Sequence, residues 1–347
     1  MYLRKILMAI VLLGLLAAGI VSYLIYTAVF APNTKMEADE AYVYIPTDAT
    51  FEAVLNQLRP LLGDMDTFQA VARRKKYVSN IRPGKYAIYK GMNNNEIINS
   101  LRSRNIPVSI SFNNQETLAD LAGRIASQLE ADSLSLLETM RDTAYLNDFG
   151  LDADTGIALY LPNTYEFFWN TSARGFRERM LKEYRQFWNQ ERNGKAAALD
   201  LEPLQVITLA SVVHKETAKV EERPRVAGVY LNRLDRNMLL QADPTVIYAI
   251  KQKTGNFDTV IKRVLYKDLE LDSPYNTYKY AGLPPGPITM PDISAIDAVL
   301  NAERHDYLYF VADVENFGYH KFARTLAQHN RNKAQYVRWI NEQKINR

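Results

Sequence analysis

Leu209–Ala218, LASVVHKETA, is an apolar run carrying one carboxylate, Glu216, near its end. The spacing predicts a helix over 204–220. At about 100° per residue, Gln205, Leu209, Val212, Val213 and Val220 fall within roughly 60° of Glu216, and His214 points nearly the opposite way. An acid on an inward stripe is costly unless it is paired or protonated. Two readings follow: a structural glutamate bonded to a tyrosine or backbone group, or an acid kept uncharged for chemistry. Glu221 and Glu222, just beyond, are expected to face solvent. Downstream, LLQADPTVIYAI (239–250), SPYNTY (273–278) and GLPPGPI (282–288) are rich in Tyr, Asn, Gln and Thr, as a sugar-binding cleft requires.

Composition narrows the classes. The 347 residues suffice for a large core and two soluble domains, and 47% hydrophobic with 23% charged is ordinary for a globular protein. A net charge of +3 with scattered basic residues does not argue for nucleic acid. The absence of cysteine excludes disulfides, thiolate catalysis and Cys-ligated zinc. Four histidines with no ligand spacing predict no metal, and no cofactor is expected.

The amino-terminal segment addresses the chain. Ile6–Phe30 is an uncharged run long enough to span a bilayer, preceded by Arg4 and Lys5 and followed beyond Lys35 by Glu37, Asp39 and Glu40. The positive-inside rule puts a cytoplasmic tail at 1–5, a transmembrane helix at 6–30 and everything later outside. A cleaved signal peptide is the competing reading, and the run is long for that role.

After a polar linker at 31–40, YVYIP (42–46), a turn and FEAVLNQLRPLL (51–62) give a strand–turn–helix unit. The plan returns at Gly84–Leu101, where aligning Ile45 with Ile88 also aligns Leu58 with Leu101. A third copy runs through Val108–Leu129. Thr50 and Asn93 are placed as helix N-caps. From about residue 116 the pattern is mainly helical, with segments at Gln115–Leu129, Ser133–Met140, Ala173–Glu191, Glu222–Arg236 and Leu326–Lys344. YLYFVAD (307–313) reads as a strand, and GLPPGPITMP as an ordered loop. The fold class is α+β: an amino-terminal span, a small α+β domain at 41–105, and a mainly helical domain with a small β element at 106–347.

Several long blocks in order carry a family resemblance: LPNTYEFFW (161–169), Leu209–Ala218, Val226–Ile288, YLYFVAD, the His320–Phe322 pair and AQHN (327–330). Together they resemble the endolytic murein transglycosylases (the YceG-like, or MltG, family), membrane-anchored enzymes that cut peptidoglycan glycan strands. The resemblance implies a LysM-like module, of a kind that binds N-acetylglucosamine chains, at 41–105. A spacer without ligand is the alternative there. It also implies the inner membrane as location and work beside penicillin-binding peptidoglycan synthases, ending nascent strands.

The implied chemistry needs one acid. Glu216-Thr217 matches the Glu-Ser or Glu-Thr pair that ends the catalytic helix in lysozyme-related lytic enzymes. A lytic transglycosylase protonates the leaving oxygen and lets the C6 hydroxyl of N-acetylmuramic acid attack its own anomeric carbon, giving a 1,6-anhydromuramic end. A water-using muramidase would add a second carboxylate, for which Asp243 is best placed. Asp243 equally suits the N-cap of the following helix. Gln241, Asp243, Tyr275, Asn276 and Tyr278 are the candidate substrate contacts, offering amides to acetamido groups and aromatic faces to pyranose rings. His320 and His329 read as structural. The chain departs from the family pattern at His214, where another Glu is common, at Asn163, where Asp is frequent, and at Ala249, where Gly is common. A non-catalytic glycan-binding scaffold is the reading from a different class, and the presence of Glu216 argues against it.

Overall fold

The structure is a computed structural model that describes residues 2–342. Helix and strand are mixed, and the chain forms two compact units. The first holds residues up to Ile110 together with Gln128–Ala131 and Tyr165–Ser172; the second holds the remainder.

The first unit begins with α1 (Tyr2–Phe30), a helix long and apolar enough to cross a membrane, with mean hydropathy 2.5 in its most apolar window. The next ten residues, expected as a polar linker, are instead part of the fold. Asn33 is buried, donates from Nδ2 to Asp64 O and Asn94 Oδ1 (both 2.7 Å), and accepts from Asp64 N at 2.7 Å. Asn94 Nδ2 in turn donates to Ala28 O at 2.8 Å. A short asparagine can satisfy several buried backbone groups at once, which composition alone does not reveal.

β1 (Glu40–Ile45) pairs antiparallel with β2 (Gly84–Tyr89), Tyr42 opposite Ala87. Between them lie α2 (Phe51–Leu58) and α3 (Met65–Arg74), and α4 (Asn94–Ser103) follows β2. α3 is an element the strand–turn–helix plan did not predict. Thr50 caps α2 by accepting from Ala53 N at 3.2 Å, and Asn93 caps α4 in a reciprocal capping box with Glu96. Ile45, Ile88, Leu58 and Leu101, matched in the sequence alignment of the two copies, share one core with Phe68 and Tyr77. β3 (Pro107–Phe112), the strand of the third copy, pairs with β4 (Asn163–Phe168) and joins neither β1 nor β2.

The second unit is helical around one buried rod. α5 (Leu118–Ala126), α6 (Ser133–Met140) and α7 (Thr143–Asn147) precede β4. After it, the helix expected over 173–191 is two, α8 (Ala173–Phe187) and α9 (Gln190–Ala197), because Asn189 caps a new start by accepting from Arg192 N at 3.0 Å. α10 (Pro203–Glu216) is buried on every side from Val206 to Val213 and packs against α11 (Arg223–Asp235), α12 (Asp243–Thr254) and α13 (Ile293–Leu300). β5 (Tyr309–Ala312) and β6 (His320–Ala323) form a hairpin, and α14 (Leu326–Glu342) closes the described chain; the predicted last turn to Lys344 lies outside the described residues.

Two small residues bring loops onto α10 and α11. Ser211, wholly buried in α10, accepts from Ile288 N at 3.0 Å, which pins the GLPPGPI loop to the helix. Gly228 in α11 lets residues 303–305 approach so closely that a Cβ would stand 2.5 Å from Glu303 O.

Candidate active site

α10 stops at Glu216 because Thr217 turns to extended geometry (φ −140°, ψ 132°). Val220, expected on the helical stripe, therefore lies past the helix end in a short 3-10 turn and is 52% exposed. The surroundings of Glu216 come instead from α11 and the hairpin. Tyr230 of α11 donates its hydroxyl to Glu216 Oε1 at 2.7 Å. The carboxyl's other oxygen makes no hydrogen bond among the described residues. The residue as a whole keeps partial solvent exposure while protein atoms crowd its carboxyl, an arrangement suited to an acid that must meet a ligand.

That crowding decides the protonation. Burial pushes the Glu216 carboxyl up to about 7, against the lowering effects of the Tyr230 hydroxyl and the nearby His320 and Arg233; the charge of Asp243 adds to the rise. Removing the one direct bond has a defined sign. Tyr230→Phe takes away a donor that favours the ionised form, so the Glu216 carboxyl will titrate higher, by on the order of one pH unit. Carbon-detected NMR of labelled glutamate side chains reads this directly, and an unchanged or lowered midpoint would contradict it.

Arg233 lies one turn from Tyr230 and is 8% exposed. It donates from Nε to Leu308 O at 2.7 Å and from Nη1 to Leu240 O at 2.6 Å, tying the segment that leads into the hairpin to the loop before α12. Phe310 of β5 packs edge-on against Tyr230, with centroids 5.9 Å apart. Glu222, expected in solvent, is 5% exposed. It accepts from His320 N and faces His320 Nδ1, both at 2.7 Å, and takes the Thr217 hydroxyl at 3.2 Å. Burial alone would raise this carboxyl, but the His320 bonds outweigh it and hold the pKa low. The physical reason for the correction is the hairpin's return onto the end of α10, a contact about a hundred residues distant in sequence. Glu221 is exposed and takes the Tyr319 hydroxyl.

Asp243 is not an N-cap. Ala242 holds that position, Asp243 is the first helical residue, and its Oδ1 takes the hydroxyl of Tyr278 at 2.6 Å. Thr277 brings these two together, a residue that sequence reasoning passed over. Fully interior, it accepts from Gln241 N on its carbonyl (3.0 Å) and from Ala242 N on its hydroxyl (3.0 Å), while Thr245 Oγ1 lies 2.8 Å from that hydroxyl. The QADPT and SPYNTY segments are thus laced side by side.

The remaining sequence candidates divide. Gln241 is exposed, in left-handed geometry (φ 49°), and Tyr278 is half-buried with its hydroxyl on Asp243. Tyr275 is only 3% exposed and packs on Tyr248 (centroids 4.7 Å) within the core. Asn276 is wholly buried, and its Nδ2 serves the carbonyls of Leu269 and Leu271, both at 2.8 Å. Such burial assigns Tyr275 and Asn276 to the framework of the loop, not to a ligand-facing surface. His329 stacks on Tyr309 with centroids 5.3 Å apart. Among the described residues no group of three His, Cys, Asp or Glu side chains could hold a metal.

Comparison with known proteins bears on this geometry. A protein of Bacillus subtilis (strain 168) named endolytic murein transglycosylase is 30% identical over 343 aligned positions, covering 92% of this chain and 91% of its own length. Another so named, from Streptococcus pneumoniae serotype 2 (strain D39 / NCTC 7466), is 43% identical over 133 residues, 38% of this chain and 24% of that protein. The crystal structure of a yceG-like protein from Listeria monocytogenes is similar with a TM-score of 0.56 at 27% identity, covering 84% of this chain and 98% of that one. The family profile described as the YceG-like family matches residues 43–335, from the middle of β1 into α14, so the match reaches into both folded units and takes in every side chain around Glu216, and the chain belongs to the YceG-like family.

Proposed function

We propose that this protein is a peptidoglycan lytic transglycosylase, a lyase that cuts the β-1,4 bond between N-acetylmuramic acid and N-acetylglucosamine within glycan strands. The observation that carries the reading is the state of Glu216: a crowded carboxyl pushed up to about 7, one oxygen fixed by Tyr230 and the other unengaged by the described residues. Near neutral pH such a group is present in both forms. The protonated form gives its proton to the departing glycosidic oxygen as the C1–O bond breaks. The resulting carboxylate then takes the C6 hydroxyl proton as that oxygen bonds to the anomeric carbon, which returns Glu216 to its starting form. Asp243, held by Tyr278, supplies negative charge toward the same region and suits stabilisation of the oxocarbenium-like transition state. Gln241 and Tyr278 remain the substrate contacts the geometry favours. The names of the Bacillus and Streptococcus relatives support the activity.

Asp243 is free of a capping role, and this observation favours a second reading, a muramidase in which it activates water. Product ends separate the two. The full chain in detergent, given uncrosslinked glycan strands, is expected to yield internal fragments with 1,6-anhydromuramic ends by mass spectrometry. Ordinary reducing ends would replace the transglycosylase with the muramidase.

The same reading makes α1 a single-pass anchor, with Arg4 and Lys5 on the cytoplasmic side and the chain after α1 outside the inner membrane. The strands and helices of 41–105 support a small LysM-like glycan-binding module there, ahead of a catalytic domain over 106–347. Penicillin-binding synthases are the partners this placement suits.

A further inference from the structure

Beside Glu216 and Asp243 lies a separate cleft of about 470 Å³ in the second unit. It reaches the next residue on each of their helices: Lys215 precedes Glu216 on α10, and Pro244 follows Asp243 on α12. Glu116, just before α5, accepts from Lys215 Nζ and from Lys251 Nζ, both at 2.7 Å. These side chains are half-buried, Lys251 at 12% exposure, Glu116 at 20% and Lys215 at 34%.

Two ammonium groups share one carboxylate, so the triad carries an unbalanced positive charge. Each ammonium has three N–H groups, and the bond to Glu116 uses one. Withdrawing such charges partly from water is costly, and an ion pair of this kind is weak ground for stability. Elsewhere the wall is mixed: the branched side chains of Ile247, Val260, Ile261 and Ile288 stand beside Phe257 and Tyr248 and the polar Asn114, Gln115 and Thr259, Val260 being 79% exposed. Two further carboxylates line it, so the positive excess is local to the lysine pair and the cleft as a whole has one more carboxylate than ammonium. Asp120 is spent on capping, accepting from Thr117 N at 3.0 Å and Thr117 Oγ1 at 2.7 Å, while Asp258 is exposed.

A bare pyranose is held by paired hydroxyl contacts and flat aromatic faces. Four branched aliphatic side chains, two ammonium groups gathered on one carboxylate and a separate exposed carboxylate are more than a sugar ring needs, and they match a short peptide that carries alkyl side chains, a free carboxylate and an amine. In murein such a peptide hangs from the lactyl group of muramic acid, the sugar whose bond is cut. We propose that this cleft binds the peptide stem of the substrate, with Lys215 and Lys251 receiving a stem carboxylate and Asp258 facing its amine. The inference rests on the transglycosylase reading and extends it from the bond that is cut to the substituent that is recognised.

The test compares glycan strands bearing stems with strands stripped of them by an amidase, using the full chain in detergent. The wild type is expected to show a KM at least tenfold lower for stem-bearing strands at similar kcat. In Lys251→Met, and in the more exposed Lys215→Met, the ratio of the two KM values is expected to fall to within about twofold of unity. Equal KM values in the wild type would overturn the proposal, as would an undiminished ratio in both variants. Cleavage of neither substrate would count against the catalytic reading instead, and titration with the free stem peptide followed by NMR then decides the cleft alone. Saturable binding that both lysine variants weaken at least tenfold sustains it, and absence of binding removes it.

Discussion

Glu216→Gln is expected to lower kcat on glycan strands by at least about 10³-fold, within the range set by the loss of a positioned general acid. The amide keeps the volume and an oxygen for the Tyr230 hydroxyl, so the fold should survive, and circular dichroism provides the control. A second effect separates a catalytic acid from a structural one. The Glu216 carboxyl is raised from 4.5 to about 7, so the folded protein holds this proton more tightly than the unfolded chain does. Stability from this group is full below about pH 4.5 and is lost as pH rises through about 7. The whole shift corresponds to about 3 kcal/mol, which the partial solvent exposure of the residue reduces to roughly 1–2. Glu216→Gln should therefore melt higher than the wild type at pH 8 and no higher at pH 4.5. Retained cutting would remove Glu216 from the mechanism, and equal melting at pH 8 would mean that the carboxyl ionises without strain.

The largest loss of stability is expected from Arg233→Met. The guanidinium supplies two short bonds to the buried carbonyls of Leu308 and Leu240, and methionine returns neither. Two charged-donor bonds lost, with both acceptors left buried, should cost about 3–5 kcal/mol, or roughly 10 °C in melting temperature. The variant also removes a cation that favours ionised Glu216, so the carboxyl's midpoint should move upward as in Tyr230→Phe. An unaltered melting curve would show that water or a neighbour replaces the donor.

The candidate acid was legible because one glutamate in an apolar helical run is a local pattern, and helices are local structures. Its surroundings were not. Tyr230 meets Glu216, and Arg233, His320 and Asp243 act on its charge, across turns and a hairpin that no periodicity encodes, and the wheel pointed instead to Val220, beyond a helix that had already ended. Asp243 before Pro-Thr looked like a cap for a sound local reason, and a bond from Tyr278 overrides that reason. Asn276 between two tyrosines had the composition of a sugar contact, yet its amide holds two carbonyls of its own loop. In the first unit the paired copies and both caps were readable, since caps are written in adjacent residues. α3 and the docking of 31–40 were not, because buried asparagine bonds join positions 31 to 66 residues apart.

That docking has a mechanical consequence. A ten-residue flexible leash would let its load wander by about 17 Å. Here Ala28 is bonded to Asn94, Val29 packs on the first unit's core, and Asn33 is locked to Asp64 and Asn94. Were α1 to cross a bilayer, the rest of the first unit would be fixed to the end of that helix and held at a set height above the lipid. A ligand bound there would then be held at that height, and its distance from the membrane would be set by the stiffness of the protein and not by chance diffusion.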